Sequence, residues 1–221
     1  MKGGTSVILG ISGSGRPDGI TSQSVKFLLE ATGENYHYIS LSDKKINGCI
    51  GCLHCAEDAT CKQKDDWNEI GEKMLKADAI VFGAPNYYNN LNALAHACLE
   101  RTFCFRHRET FKLAGNLGIA IGVDDSKEDP LITELITKYM KSNHMAIVDE
   151  IQLKGYSQCY TCGYGENCAA GNVVKDHGFI EKIQEWHLPQ DFSEQNKGIY
   201  ELHKAGKILG SILRNQKNEG S

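Results

Sequence analysis

The chain has 221 residues and carries 24 Lys and Arg against 28 Asp and Glu, which gives a formal net charge of −4. This length fits a single domain, and a mildly acidic chain without a basic run is not typical of proteins that bind nucleic acid or anionic membranes. No apolar run approaches the ~20 residues that span a membrane, and the first residues do not resemble a signal peptide, so we expect a cytoplasmic protein.

Short apolar runs alternate along the chain with segments that show helical spacing. The apolar runs predict strands over residues 5–11, 77–83, 116–122 and 145–153, and an alternating pattern predicts a further strand over residues 35–41. The intervening patterns predict helices over residues 22–32, 66–76, 91–103, 130–141 and 173–186. This alternation indicates an α/β fold with a doubly wound parallel sheet that is covered on both faces. Five such units match a flavodoxin-like sheet with the strand order 2-1-3-4-5.

A further amphipathic helix is predicted over residues 193–215. Within it, Gly206 and Gly210 occupy the same face and would allow another helix to approach closely. That neighbour is either a helix of the same domain or one of another subunit.

The loop after the first predicted strand, residues 12–22, is rich in glycine and hydroxyl side chains and contains Arg16. It opens onto a helix N-terminus, where free N–H groups favour an anion. The loop lacks the lysine of a GxxxxGK[ST] motif, and its third glycine falls at Gly19, outside the GxGxxG spacing. A monophosphate such as that of FMN fits better than a triphosphate or a dinucleotide. The alternative is a plain polar turn.

The loop after the third predicted strand, residues 84–90, reads APNYYNN. Its tyrosines offer stacking faces and its asparagines offer amide donors and acceptors, which a flavin ring requires. Alone, it could equally be a helix-capping loop with surface tyrosines. In an open parallel sheet, however, both loops lie at the carboxyl ends of adjacent strands, where ligands bind.

Nine cysteines in a reducing compartment are expected to be core residues, reactive thiols or metal ligands. Four of them follow the spacing C-x2-C-x2-C-x5-C: Cys49, Cys52, Cys55 and Cys61. Because the two CxxC units share Cys52, three sulfurs share one tight loop, which suits three corners of a cubane cluster with Cys61 at the fourth. Zinc and metal-free redox thiols remain alternatives. We expect His54 to be a neighbour rather than a ligand, and Cys98 to be a core residue.

A second cysteine group follows the last predicted strand, with the spacing C-x2-C-x5-C: Cys159, Cys162 and Cys168. A reversible disulfide between Cys159 and Cys162, a metal site and a structural loop all remain open. A metal would need a fourth ligand, such as Cys104, a histidine or a group from another subunit. We expect Tyr160 and Tyr164 to pack on a flavin at this edge of the sheet.

Three segments together resemble the iron–sulfur flavoproteins of the NADPH-dependent FMN reductase group, within the flavodoxin-like superfamily. They are GISGSGR…GITS, CIGCLHC…C and APNYYNNLNALAHACLER, and the match covers residues 5–105. The resemblance implies non-covalent FMN, a [4Fe-4S] cluster on the four cysteines of the first group, electron transfer between the two, and a homodimer or homotetramer. By position it assigns phosphate contacts to Ser12, Ser14, Arg16, Thr21 and Ser22. It assigns contacts to the ring and ribityl chain to Pro85, Asn86, Tyr87, Tyr88 and Asn89.

Two positions depart from the pattern of this family. Ile20 stands where the family often has asparagine, which removes one phosphate contact. The loop after the fourth strand, residues 122–126, reads GVDDS and is acidic where the family often has glycines. Two carboxylates near the ring would repel an anionic nucleotide, which puts NAD(P)H as the electron donor in doubt.

The sequence thus predicts an FMN-dependent oxidoreductase or electron carrier, with residues 1–190 as the FMN-binding domain, a cluster-binding insert at 47–64 and a helical extension at 191–221. The redox partner would be a ferredoxin, NAD(P)H or a small-molecule acceptor. No residue is assigned as a catalytic acid or base, and the cysteines at 159, 162 and 168 are candidate redox thiols. The alternatives are a zinc- or thiol-based sensor on the same scaffold, and a flavin dehydrogenase of a small organic substrate.

Overall fold

The computed structural model describes residues 6–125 and 129–219. Position 5 of the first predicted strand and position 126 of the acidic loop lie outside the described residues. Five parallel strands form the sheet: β1 (Val7–Ser12), β2 (Asn35–Ser40), β3 (Ala79–Pro85), β6 (Leu117–Asp124) and β7 (Ala146–Lys154). Two short strands, β4 (Arg106–His107) and β5 (Thr110–Phe111), pair antiparallel outside it.

The order of the sheet is β2-β1-β3-β6-β7, which confirms the flavodoxin-like order predicted from the sequence. Ser12 at the end of β1 is in register with Ser40 of β2 and with Gly83 of β3. The carboxyl ends of the central strands therefore meet at one edge of the sheet.

Helices cover both faces of this sheet: α1 (Ile20–Thr32), α2 (Trp67–Lys76), α3 (Ala93–Glu100), α4 (Leu131–Ser142) and α6 (Asn196–Glu219). The short helix α5 (Asn172–His177) packs against the segment that follows β7. Ile80 and Phe82 of β3 face α2, α3 and α4 in one core layer. Val81, between them, faces α1 and α6 in the other. None of the helices in the described parts of the chain is both long and apolar enough to cross a membrane.

The helix predicted over residues 173–186 is much shorter in the structure. It ends at His177, because Gly178 takes a φ of 75° and its N–H closes on the carbonyl of Val174. Beyond this glycine, Phe179 and Trp186 are exposed and build no buried helix face. The apolar periodicity of this segment is therefore misleading.

Helix α6 packs on α1 of its own chain through Gly206 and Gly210. A Cβ atom at Gly206 would lie 2.7 Å from the carbonyl oxygen of Leu28, and one at Gly210 would overlap the carbonyl oxygen of Thr32. Arg214 adds a hydrogen bond of 2.9 Å to Glu34 just beyond α1. The close helix neighbour expected from the glycine spacing is thus a helix of the same domain.

We expect Gly210→Ala to destabilise the protein, although alanine normally stabilises a helix interior by ~1 kcal/mol relative to glycine. The methyl group would meet the backbone of α1, and overpacking of this kind costs about 1–3 kcal/mol. Urea unfolding of the variant measures the change in free energy. Ser211→Ala, at an exposed position of the same helix, is the matched control. A more stable Gly210→Ala protein would contradict the packing described.

Candidate functional site

A cavity of about 680 Å³ opens at the carboxyl edge of the sheet. This volume is within the range of small-molecule sites. Its walls come from the loop after β1, the loop after β3, the end of β6 and the segment after β7. Most of the residues that the resemblance assigns to the cofactor line it: Ser14, Arg16, Thr21, Pro85, Asn86, Tyr87 and Tyr88.

Ser12 and Ser22 are assigned as phosphate contacts, but both are buried beneath the loop and do not line the cavity. Their hydroxyl oxygens lie 2.8 Å apart, and Ser22 Oγ also donates to the carbonyl of Arg16 at 3.2 Å. The backbone N–H of Ser14 donates to Ser12 Oγ at 3.4 Å. These hydroxyls therefore hold the shape of the loop from below.

The loop after β1 is also hydrogen-bonded to β3 and to the residue that precedes α3. The N–H of Gly13 donates to the carbonyl of Gly83 at 2.7 Å, and Asn92 Nδ2 donates to the carbonyl of Gly13 at 2.7 Å. A side chain at position 13 would collide with Ala95. Glycine is thus required for this close packing, and Asn92 is a supporting residue that the sequence analysis did not identify.

Helix α1 begins at this loop with Gly19 as its N-cap residue. Within the described part of the chain, no side chain caps this N-terminus and no acidic residue lies in its first turn. The guanidinium carbon of Arg16 lies 5.6 Å from the ring centroid of Tyr156, on the far wall. The end of the cavity near α1 therefore combines an uncapped helix N-terminus with a cation, which suits an anion.

The loop after β3 forms a tight turn in which Tyr87 and Asn90 exchange two backbone hydrogen bonds, of 2.9 and 3.1 Å. Tyr88 and Asn89 both have a φ of 55°, a conformation that non-glycine residues rarely adopt. Asn89 is exposed at the tip and does not line the cavity. The hydroxyl of Tyr87 accepts a 3.0 Å hydrogen bond from Gln158, which connects this wall to the segment after β7.

The acidic residues after β6 occupy two different positions. Asp124 is buried and accepts a hydrogen bond from Asn86 Nδ2. Asp125 lines the cavity and accepts a 3.0 Å hydrogen bond from Asn172 Nδ2. Partial desolvation, followed by the charge of Asp124, raises the pKa of Asp125, although the residue as a whole is exposed. Of the two carboxylates, that of Asp125 therefore lines the cavity, whereas that of Asp124 is buried against Asn86.

The segment after β7 supplies a tyrosine to the cavity, but not one of those predicted. Tyr156 lines it, whereas Tyr164 is 79% exposed and neither it nor Tyr160 is part of the wall. The hydroxyl of Tyr160 instead donates to Asp176 at 3.1 Å. Tyr156 could have been identified from its position. It lies two residues after the end of β7, at the edge of the sheet where ligands bind.

The second cysteine group lies behind this wall. The N–H of Asn172 donates to Cys159 Sγ at 3.4 Å, and hydrogen bonds from Ser157 and Asn172 lower the pKa of the Cys159 thiol. Cys162 and Cys168 are exposed. Cys104, considered as a further ligand here, lies instead among the first cysteine group.

The first cysteine group surrounds a second, smaller cavity. Its lining contains four thiols of the insert and the buried thiol of Cys104: Cys49, Cys52, Cys55, Cys61 and Cys104. Leu53 has a φ of 58° and helps to turn the loop sharply. Among the described residues, no three His, Cys, Asp or Glu side chains are close enough together to hold one metal ion. His54 does not line this cavity, whereas His107 Nε2 lies 3.1 Å from Cys55 Sγ.

Both ends of the cysteine loop are fixed by polar contacts. Arg101, which follows α3, makes two hydrogen bonds of 2.8 and 3.2 Å to the carboxylate of Asp65 and a third of 2.8 Å to the carbonyl of Asn47. The side chains of this ion pair are 1% and 3% exposed. Glu100 accepts a 2.8 Å hydrogen bond from the N–H of Cys49. The end of α3 therefore positions the insert.

Comparisons with known proteins agree with this architecture. The chain is 38% identical over 123 residues to an iron–sulfur flavoprotein of Methanocaldococcus jannaschii, an alignment that covers 54% of this chain and 63% of that protein. It is 32% identical over 125 residues to an iron–sulfur flavoprotein of Archaeoglobus fulgidus, covering 54% of this chain and 57% of the relative. The alignments thus span less than two thirds of either relative.

Among solved structures, RosB with a bound 8-demethyl-8-formylriboflavin-5'-phosphate intermediate superposes with a TM-score of 0.62 at 14% identity, over 96% of this chain and 81% of that one. At this identity the likeness establishes the fold alone. A family model described as NADPH-dependent FMN reductase matches residues 7–158, which is more than half of the chain. The resemblance inferred from the sequence motifs is confirmed: this chain belongs to the NADPH-dependent FMN reductase family.

Proposed function

We propose that this protein is an FMN-dependent oxidoreductase that transfers electrons between FMN in the larger cavity and a [4Fe-4S] cluster held by Cys49, Cys52, Cys55 and Cys61. The observation that carries the proposal is the convergence of a phosphate-type loop and a tyrosine–asparagine loop on one cavity of about 680 Å³. FMN exchanges one or two electrons and an iron–sulfur cluster exchanges one, so the pair would connect two-electron with one-electron chemistry.

The phosphate end of this site would be formed by the loop after β1. Arg16 supplies a permanent positive charge, and the Ser14 and Thr21 side chains also line the cavity there. The uncapped N-terminus of α1 points its free N–H groups to the same end. Ser12 and Ser22, in this proposal, support the loop instead of touching the phosphate.

The ring end would be formed by the loops after β3, β6 and β7. Asn86 and Tyr87 offer an amide and an aromatic face, and Tyr156 lies opposite, near Arg16. Asp125, with its raised pKa, is a carboxyl group that can carry a proton more readily than a free aspartate. In this proposal, Asn86, Tyr87 and Tyr156 are the residues that exclude water from the flavin ring.

The cluster assignment rests on the chemistry of the donor set and on two relatives whose names describe them as iron–sulfur flavoproteins. Four thiols of the insert, residues 47–64, line one small cavity. In a cubane cluster each thiolate binds a different iron, so the sulfurs need to surround a volume rather than meet at one point. A structural zinc ion would require them to converge on a single centre. The partner that exchanges electrons with this protein would be a ferredoxin-like protein, NAD(P)H or a small-molecule acceptor.

We expect Arg16→Met to weaken FMN binding about 10- to 100-fold, because a hydrogen bond to a charged group contributes about 1.5–3 kcal/mol. Quenching of flavin fluorescence during titration of the apoprotein measures the Kd. The matched control is Arg214→Met. It removes an arginine of α6 that lies near the C-terminal end of α1, far from the loop after β1, and this variant should bind FMN normally. An unchanged Kd for Arg16→Met would place the phosphate elsewhere.

We expect Cys55→Ala to remove the cluster while FMN stays bound, because the two cavities have separate linings. Anaerobic purification followed by assays of iron, sulfide, zinc and flavin checks this. The unsubstituted protein should contain about four iron atoms per chain. Cys162→Ala, which removes an exposed thiol outside both cavities, should retain both cofactors. Zinc in place of iron, or loss of FMN together with iron, would refute the proposal.

A further inference from the structure

Arg101 is a buried charge at the wall of the cysteine cavity. Its side chain is 1% exposed, and its guanidinium carbon lies 5.0 Å from the ring centroid of Trp67. A buried ion pair with a carboxylate costs desolvation and is weak evidence of a purely stabilising contact. The location of this pair therefore calls for a functional explanation.

The two partners of the ion pair do not face the cavity equally. Arg101 is part of its lining, whereas Asp65 is not and lies behind the guanidinium. The pair thus presents its positive end to the cysteine sulfurs.

One N–H donor of Arg101 lacks a hydrogen-bond acceptor among the described residues. Both terminal nitrogens donate to Asp65, one of them also donates to Asn47 and the other to Asn68, but the buried Nε has no hydrogen-bond partner in the described parts of the chain. An unsatisfied buried donor is costly and needs an explanation. An anionic group in the adjacent cavity would provide one.

We propose that Arg101 is a positioning residue of the cluster site, which fixes the entrance of the cysteine loop and raises the reduction potential of the bound cluster. This inference rests on the cluster assignment made above. Reduction adds one negative charge to the cluster, and a nearby positive group with N–H donors favours the more negative state. Asp65 holds the guanidinium in place and partly offsets its charge. The pair therefore sets the potential as well as the position of the insert.

The test compares reduction potentials of the cluster in anaerobically purified holoprotein, by titration monitored with electron paramagnetic resonance. Arg101→Met should shift the midpoint of the cluster to a more negative value, and Asp65→Asn should shift it to a more positive value. The midpoint of the flavin, measured in the same titration, should stay unchanged. Arg108→Met, which removes an exposed arginine of the nearby hairpin turn, should leave both midpoints close to those of the unsubstituted protein.

A purely structural role for the pair predicts a different pattern. Loosening of the loop would lower the iron content of both variants and move both midpoints in one direction, which would overturn the inference, as would two unchanged midpoints. If Arg101→Met does not hold iron, Asp65→Asn decides the sign of the shift, and Arg101→Lys, which keeps the charge, should keep the midpoint close to that of the unsubstituted protein; a negative shift for Asp65→Asn would overturn the inference. Unsubstituted protein that holds FMN but no iron would instead refute the cluster assignment, and this inference with it.

Discussion

The ion pair between Arg101 and Asp65 connects the cysteine insert to the body of the fold. Few apolar side chains of the insert are buried, so hydrophobic packing alone cannot hold it in place. The guanidinium instead joins three separate segments: the end of α3, the start of the cysteine loop at Asn47 and its end at Asp65. Removing one partner of a buried pair leaves the other uncompensated, at a cost of about 3–5 kcal/mol. The geometry of the thiols thus depends on a polar contact.

The larger cavity depends on a different constraint, the rigid placement of α1. This helix is packed between the sheet and α6, with backbone almost touching backbone at Gly206 and Gly210. Its N-terminus forms one end of the cavity, and the loop before it is held by buried hydroxyls and by Asn92. A loop that is held in one shape before a ligand binds loses little conformational entropy on binding. Helix α6, far along the chain, thereby contributes to the site by fixing the position of α1.

The central strands β1, β3 and β6 could be predicted from the sequence because buried parallel strands are continuous apolar runs. The same pattern failed over residues 173–186, where Gly178 ends the helix and the later apolar residues face solvent. Loop chemistry located Arg16 and Tyr87 at the cavity, since both lie at strand ends. It could not show that Ser12 and Ser22 point inward, because that depends on a hydrogen bond between them.

Contacts between distant parts of the chain were beyond sequence reasoning. Asp65 and Arg101 are 36 residues apart, and nothing in the local pattern of either marks them as partners. The same applies to His107 beside Cys55, 52 residues away, and to Cys104, whose place among the insert thiols follows from the path of the chain after α3. Side-chain chemistry can be read from a motif, whereas such pairings require the fold.

The chain has two tryptophans, and their surroundings differ strongly. Trp67 is buried beneath the guanidinium of Arg101, and its indole N–H donates to the carbonyl of Cys98 at 2.9 Å. Trp186 is 78% exposed in the segment after α5. A water-soluble quencher will therefore suppress the emission of Trp186 and spare that of Trp67. The natural fluorescence of the protein thus separates into a signal from the base of the cysteine insert and one from the surface segment, without any added label.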